Sequence, residues 1–363
     1  MFFYLRTIMN KSATPSIKPV IYWLFTGCFL IYAMVVIGGL TRLTHSGLSM
    51  VNWSVFGNTP PFTTEDWQGL FEKYKHYPEY QQINFNFSLS EFKQIFWWEF
   101  SHRLLARCIA VIFILPFAWF WFKGYFNKAL LKRLWIIVLL GALQGLLGWY
   151  MVKSGLSKEP RVSHIRLAAH LISAFTVFGF TFWTALTLIY PNSTSTTNQD
   201  EILPKPSATL PKSIKPLSIA LLAIVVFQII YGAFVAGLHA GLICPTWPKM
   251  CGEWLHDSVM ARNTLAENFL YNPAGVQWVH RWIAALVVIA VLLLNRYLTH
   301  LPQHLKSIVF WLNGMVIAQF ILGVLTLINL VPVSLGVLHQ TGAFFLFTLV
   351  LFWNYNLFNN SKN

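Results

Sequence analysis

Four histidines hold repeat-related positions in this chain, His102 and His170 in the first half and His280 and His339 in the second. Their surroundings recur. Glu99-Phe100-Ser101-His102-Arg103 is echoed by Gln277-Trp278-Val279-His280-Arg281, and Ala168-Ala169-His170-Leu171 by Val337-Leu338-His339-Gln340. Each lies near the start of an apolar run. An imidazole in lipid is costly unless it is paired or ligated, so such residues mark function. Two per half, on two different helices, supply one nitrogen to each side of a six-coordinate haem iron. Zinc is the rival metal, but it takes three or four close ligands, often with cysteine or carboxylate. An apolar bundle with glycines at 141, 145, 148, 314 and 323 suits a large flat macrocycle better.

The neighbours extend this reading. Arg103 and Arg281 follow a histidine directly, and Arg166 stands four residues before His170, on the same helix face. Arginine binds carboxylates in pairs of hydrogen bonds, which suits haem propionates; snorkelling to the membrane interface is the plainer alternative. Glu99 shares a face with His102, three residues on. Its counterpart is Gln277, which cannot titrate. One half therefore carries an acid beside its candidate pocket and the other does not, as a reactive site and an electron-carrying or structural site would. Cys244 and Cys251 bracket a Pro-rich turn in an outer loop and are expected to form a disulfide. Cys28 and Cys108 fall in apolar helices and read as packing residues.

These groups need a membrane scaffold to place them. With 56% apolar and 10% charged residues, the chain is polytopic. Eight apolar runs approach the ~20 residues that cross a bilayer: 20–40, 98–122, 132–151, 164–190, 216–237, 278–296, 307–329 and 333–356. The first is too long for a signal-peptide core and has no small-x-small cleavage site after it. The net charge of +14 does not indicate nucleic acid, because Lys and Arg collect in the N-terminal tail and in short loops such as 123–133, 191–215 and 296–306. The positive-inside rule puts these on the cytoplasmic side, with both termini. Loop 152–163, with Lys153, Lys158 and Arg161, dissents. All four histidines then lie on even-numbered helices near their outer ends, His102 and His280 within the first turn or so.

The expected architecture is an all-α membrane protein of eight spanning helices, arranged as two tandem pseudo-symmetric four-helix bundles. A tail (1–19) precedes the first bundle (20–190), a linker (191–215) joins the second (216–356), and a short tail (357–363) ends the chain. Leu143-Gln144-Gly145-Leu146-Leu147-Gly148 matches Ala318-Gln319-Phe320-Ile321-Leu322-Gly323. Gly38-Gly39-Leu40 with His45-Ser46-Gly47-Leu48 matches Ala236-Gly237-Leu238 with His239-Ala240-Gly241-Leu242. Four helices per unit make a parallel repeat about the membrane normal. Outer loops 41–97 and 238–277 are long enough to cap sites; the first is amphipathic, with Trp53, Phe62, Trp67, Phe71 and Tyr74 among its acids.

Taken together, these motifs resemble the haem A synthase family, which includes the mitochondrial and alphaproteobacterial assembly proteins for cytochrome c oxidase. The likeness spans about 20–356. It rests on Gly38-Gly39-Leu40-Thr41-Arg42-Leu43 with Ser46-Gly47-Leu48-Ser49-Met50, on Glu91-Phe92-Lys93 with Trp97-Trp98-Glu99-Phe100-Ser101-His102-Arg103, on Cys244-Pro245 through Cys251, on His280-Arg281 and on His339. The resemblance implies an inner-membrane enzyme that oxidises a methyl group of haem O to the formyl group of haem A. It implies that His280 and His339 ligate a resident haem b, that His102 and His170 serve the substrate haem, and that Glu99 is the catalytic carboxylate. One branch of the family has a second cysteine pair in its first outer loop; here that loop has none, as in the mitochondrial-type branch. Implied partners are the haem O-producing farnesyltransferase and other oxidase assembly factors, with a homo-oligomer left open. A di-haem b-type electron-transfer cytochrome and a haem transporter or chaperone are the competing readings.

Overall fold

The computed structural model describes residues 16–50, 57, 59–155, 162–190 and 210–359. Trp53, Lys158, Arg161, most of the 191–215 linker and most of both tails lie outside the described residues. Among the described residues eight helices are long and apolar enough to span a membrane. They are α1 (Lys18–Leu43), α2 (Leu89–Phe122), α3 (Lys128–Gly155), α4 (His164–Ile189), α5 (Ile214–Gly237), α6 (Pro273–Leu294), α7 (Gln303–Ile328) and α8 (Val333–Asn359). A 3₁₀ segment, Asn295–His300, prolongs α6. Helices are the expected solution because each satisfies its own backbone where no water is present.

Packing follows the repeat. Within the first half α1 packs on α2 and α4, and α4 on α3; within the second, α5 packs on α6 and α8, and α8 on α7. The halves meet through α4 on α5 and through α8 on α1, two equivalent contacts related by the repeat. At the second, Gln340 of α8 donates to the Val35 carbonyl of α1, its carboxamide lying on Gly39. Arg42, at the end of α1, donates to the Ala236 carbonyl at the end of α5 at 2.7 Å, placing a cation on the negative end of that helix. A Phe- and Leu-rich core formed by Phe175, Leu221, Val291, Leu312, Phe344 and Val350 ties α4 to the second half.

Helix boundaries agree with the apolar runs to within a few residues, except in α2. That helix starts at Leu89, where Ser88 and Glu91 form a capping box, and not at 98. Its 34 residues make it about 51 Å long, well beyond the ~30 Å hydrocarbon core. The extension exists because the outer loop folds onto it. Helix Thr64–Lys75 sets Trp67, Phe71 and Tyr74 against Phe92, Ile95 and Phe96. His102 accordingly sits roughly 20 Å along α2, not in its first turn. Within α2, Pro116 has no N–H to offer the Ile112 carbonyl; Trp23 Nε1 of α1 donates to that carbonyl at 3.1 Å instead.

Candidate functional site

Every one of the four imidazoles lies on a glycine of the helix before it. Gly38 of α1 faces His102 of α2, Gly148 of α3 faces His170 of α4, Gly232 of α5 faces His280 of α6, and Gly323 of α7 faces His339 of α8. A methyl group would come within 2.9 Å of the ring at Gly148 and Gly323, 3.3 Å at Gly38 and 3.4 Å at Gly232. The missing side chain is what lets each ring stand upright against the neighbouring backbone. This also corrects the repeat register at the end of the first helices. Gly38 answers to Gly232, as His45 answers to His239, so matching it to Ala236 is one helical turn out.

In the second half the rings of His280 and His339 meet edge to face, with centres 6.5 Å apart and planes at 81°. A metal bonded to both at about 2.0–2.1 Å, with each ring centre about 1 Å beyond its nitrogen, puts the centres about 6 Å apart, so the pair fits a shared metal. In the first half His102 and His170 occupy the matching places, on helices that both pack on α1. Among the described residues no group of three or more His, Cys, Asp or Glu side chains converges as a metal site. The donor set is thus two imidazoles per half, which suits an iron whose other four positions a porphyrin fills and does not suit zinc. Buried nitrogen atoms support the fit: Nδ1 of His170 and of His280 has no hydrogen-bond partner.

Three glutamines that sequence reasoning gave no role reach these rings. Gln144 approaches His170 Nε2 at 3.4 Å, Gln228 approaches His280 Nε2 at 3.3 Å and Gln319 approaches His339 Nδ1 at 3.2 Å. The signal was a carboxamide four residues before a glycine in an otherwise apolar helix.

Glu99 is buried one turn before His102. Its carboxylate accepts from Ser49 Oγ and from the Met50 N–H, both at 2.7 Å, and pairs with Arg103. Arg103 also donates to the Met50 carbonyl. In the second half Gln277 donates to the Cys244 carbonyl, as does Arg281, which also reaches the Thr246 carbonyl. Met50 and Cys244 are repeat equivalents, so each half docks its outer loop on the same two side chains. Both arginines therefore hold loops, although Arg281 keeps a buried Nε with no partner. Arg166 lies over the Tyr150 ring at 4.8 Å.

Cys244 and Cys251 form the expected disulfide. The loop that it closes lies beside the second pair of histidines, with Trp247 edge-on to Phe320 of α7 and under Arg281. Three further histidines make contacts of their own. His164 Nε2 donates to the Leu270 carbonyl at 2.7 Å, since a carbonyl oxygen can only accept. His45 and His239 stack across the junction of the halves, centres 5.3 Å apart, both with left-handed backbone. Burial, and then the Arg42 charge, hold the His45 imidazole below its ordinary pKa.

The profile of the COX15-CtaA family, described as cytochrome oxidase assembly protein, matches residues 21–351. The chain belongs to this family. The haem A synthase of Flavobacterium johnsoniae is 43% identical over 344 residues, 92% of this chain and 96% of that protein. That of Nitrosospira multiformis is 41% identical over 343 residues, 94% of each chain. The haem A synthase COX15 of Arabidopsis thaliana is 42% identical over 343 residues, 92% of this chain and 74% of that one. Membership of the COX15-CtaA family covers all eight spanning helices, and with them the four histidines and Glu99.

Proposed function

We infer that this protein is a haem A synthase, an oxidoreductase that takes haem O and yields haem A by oxidising a ring methyl group to a formyl group through successive hydroxylations. The observation that carries this is the contrast between Glu99 and Gln277. Two halves that repeat their histidines, glycines and loop-binding arginines differ in the one acid beside a pocket. A di-haem electron carrier would use both halves alike and has no use for the difference.

In this reading His280 and His339 hold haem b, and His102 and His170 hold the substrate haem. A bound haem b supplies one-electron redox chemistry. Glu99, with two neutral donors and one cation on its oxygens, is the group that offers negative charge to a carbocation-like centre at the reacting carbon. Arg103 orients that carboxylate and the Ser49-Met50 segment together. The free Nε of Arg281 is the donor left for a propionate in the second half, and Arg166 is the candidate in the first.

Sidedness follows from charge. Lys123, Lys128, Lys132 and Arg133 lie between α2 and α3, and Arg296 and Lys306 between α6 and α7; Glu65, Asp66, Glu72, Glu253, Asp257 and Glu267 occupy the opposite loops. The histidines then face the periplasmic side of a bacterial inner membrane, with both termini in the cytoplasm. The haem O-producing farnesyltransferase is the natural supplier of substrate, and oxidase assembly factors are the natural recipients of product.

The test is expression in a host that makes haem O but has no haem A synthase of its own, with haem extraction and mass analysis of the membranes. Haem A with the wild-type chain, and haem O alone with Glu99→Gln, are expected. Bound haem O that never becomes haem A would overturn the enzymatic reading.

A further inference from the structure

The three glutamines beside the histidines are left half-satisfied by the protein alone. Gln144, Gln228 and Gln319 each turn their amide nitrogen to an imidazole, and the Oε1 of each is buried with no partner. So is the Nδ1 of His170 and of His280. An unpaired buried polar atom costs about 1–3 kcal/mol. One rearrangement prepares each ring for a metal, moving the amide nitrogen into the buried place that Oε1 now holds. A half-turn of the carboxamide exchanges its oxygen and nitrogen, and the oxygen then accepts the N–H of the imidazole. The second ring nitrogen is left as a bare lone pair, which is what a metal ion takes up. Histidine ligands to metals are commonly held in this way, by an acceptor on the other nitrogen that fixes tautomer and ring angle.

The spacing is the same each time. Gln144 and Gly148, Gln228 and Gly232, and Gln319 and Gly323 are four residues apart on one helix, so the glycine makes room for the ring and the glutamine meets its edge. In its present orientation Gln319 also donates to the His339 carbonyl at 2.9 Å, a bond that the half-turn gives up. Glutamines that merely glue helices together would have no reason to select the four-histidine set. The fourth place breaks the pattern. Met34 precedes Gly38 as Gln228 precedes Gly232, and its thioether is only a weak acceptor. Among the described residues no hydrogen bond reaches the His102 ring.

We propose that Gln144, Gln228 and Gln319 are positioning residues that lock His170, His280 and His339 as haem ligands, and that His102, with Met34 at the repeat position of Gln228, is the one ligand left free to release. This rests on the haem-ligand reading given above. It divides the two sites by exchangeability: the second half has two locked ligands and keeps its haem, while the first has one locked and one loose, as a site must that admits a substrate haem and gives up a product haem.

The experiment exchanges the two residues. Purified haem-loaded wild type, Gln228→Met, Gln144→Met and Met34→Gln are compared by redox titration, low-temperature electron paramagnetic resonance and haem transfer to an apo-acceptor protein. Gln228→Met is expected to keep two histidine ligands but to move the haem reduction potential to a more positive value and to speed haem loss from the second half about 10–100-fold. Gln144→Met is expected to do the same to the first half, and gives the answer if Gln228→Met does not fold. Met34→Gln is expected to slow release from the first half by a similar factor. Unchanged potentials and release rates in the Gln→Met variants would overturn the proposal. A wild type with no bis-histidine haem would overturn the underlying haem reading, a different result. A packing role alone leaves the potential where it was.

Discussion

Glu99 and Gln277 occupy equivalent places and grip equivalent loop residues with opposite polarity: Glu99 accepts from the Met50 N–H, whereas Gln277 donates to the Cys244 carbonyl. Glutamine at this position is thus compatible with the fold. Glu99→Gln is expected to keep the helices and the bound haem and to abolish haem A formation. Its structural effect should be limited to the 46–50 segment, where hydrogen bonds to a charged acceptor worth about 1.5–3 kcal/mol each are weakened. Haem content and haem A yield from the same membranes check this. Haem A at wild-type level would remove Glu99 from the chemistry and leave it the structural part.

The glycines under the four rings predict a graded series. An added methyl meets the imidazole at 2.9 Å in Gly148→Ala and Gly323→Ala, at 3.3 Å in Gly38→Ala and at 3.4 Å in Gly232→Ala. Overpacking costs about 1–3 kcal/mol, or roughly one to two orders of magnitude in affinity. Haem retention on purification is expected to fall most in the first two, less in Gly38→Ala, and hardly at all in Gly232→Ala. A flat series would mean that the rings have room to move.

A pH response is expected in the first outer loop. Glu79 is buried there, accepts from the Tyr74 hydroxyl at 3.0 Å, and is pushed up to about 8, chiefly by burial. The folded loop therefore favours the protonated acid. Its stabilising effect is full below pH about 4.5, the ordinary carboxyl value, and is lost as pH rises through about 8. Hydrogen exchange over residues 64–84, taken as the difference between wild type and Glu79→Gln at each pH, should show the wild type loosening relative to the variant toward pH 8. A constant difference would contradict the protonated assignment.

Much of this architecture can be read from the chain because the bilayer is a demanding solvent. Apolar runs of spanning length have one structural solution, and the duplication made the four histidines conspicuous. The outer part of α2 was not legible by hydropathy, since Leu89–Trp97 mixes one acid, one lysine and aromatics and owes its helicity to Trp67, Phe71 and Tyr74 packing on it. Its start was nonetheless written in Ser88 and Glu91, a capping pair. The glutamine partners were hidden for another reason: a carboxamide gains its role only from what lies across the helix interface. Gln228 has Met34 as its counterpart, so comparing the halves concealed it.

The disulfide makes a separate prediction. Cys244 and Cys251 close a short loop whose constraint is worth roughly 2–3 kcal/mol in chain entropy, and the Cys244 and Thr246 carbonyls hold Arg281. Because the Cys244 side is fully buried, the bond is expected to be structural. The double variant Cys244→Ser, Cys251→Ser should lose part of its second-half haem and keep haem A synthesis in proportion to the haem retained. Complete loss of turnover at full haem occupancy would instead assign the pair a redox step.

Whether two duplicated histidine pairs hold two unlike haems is tested most directly by extracting and weighing the haem from purified wild type, His280→Ala and His170→Ala. Haem b together with haem O or haem A is expected in the wild type, with selective loss of haem b in His280→Ala and selective loss of haem O and haem A in His170→Ala. Two equivalents of haem b in the wild type, with each variant losing one, would contradict this expectation.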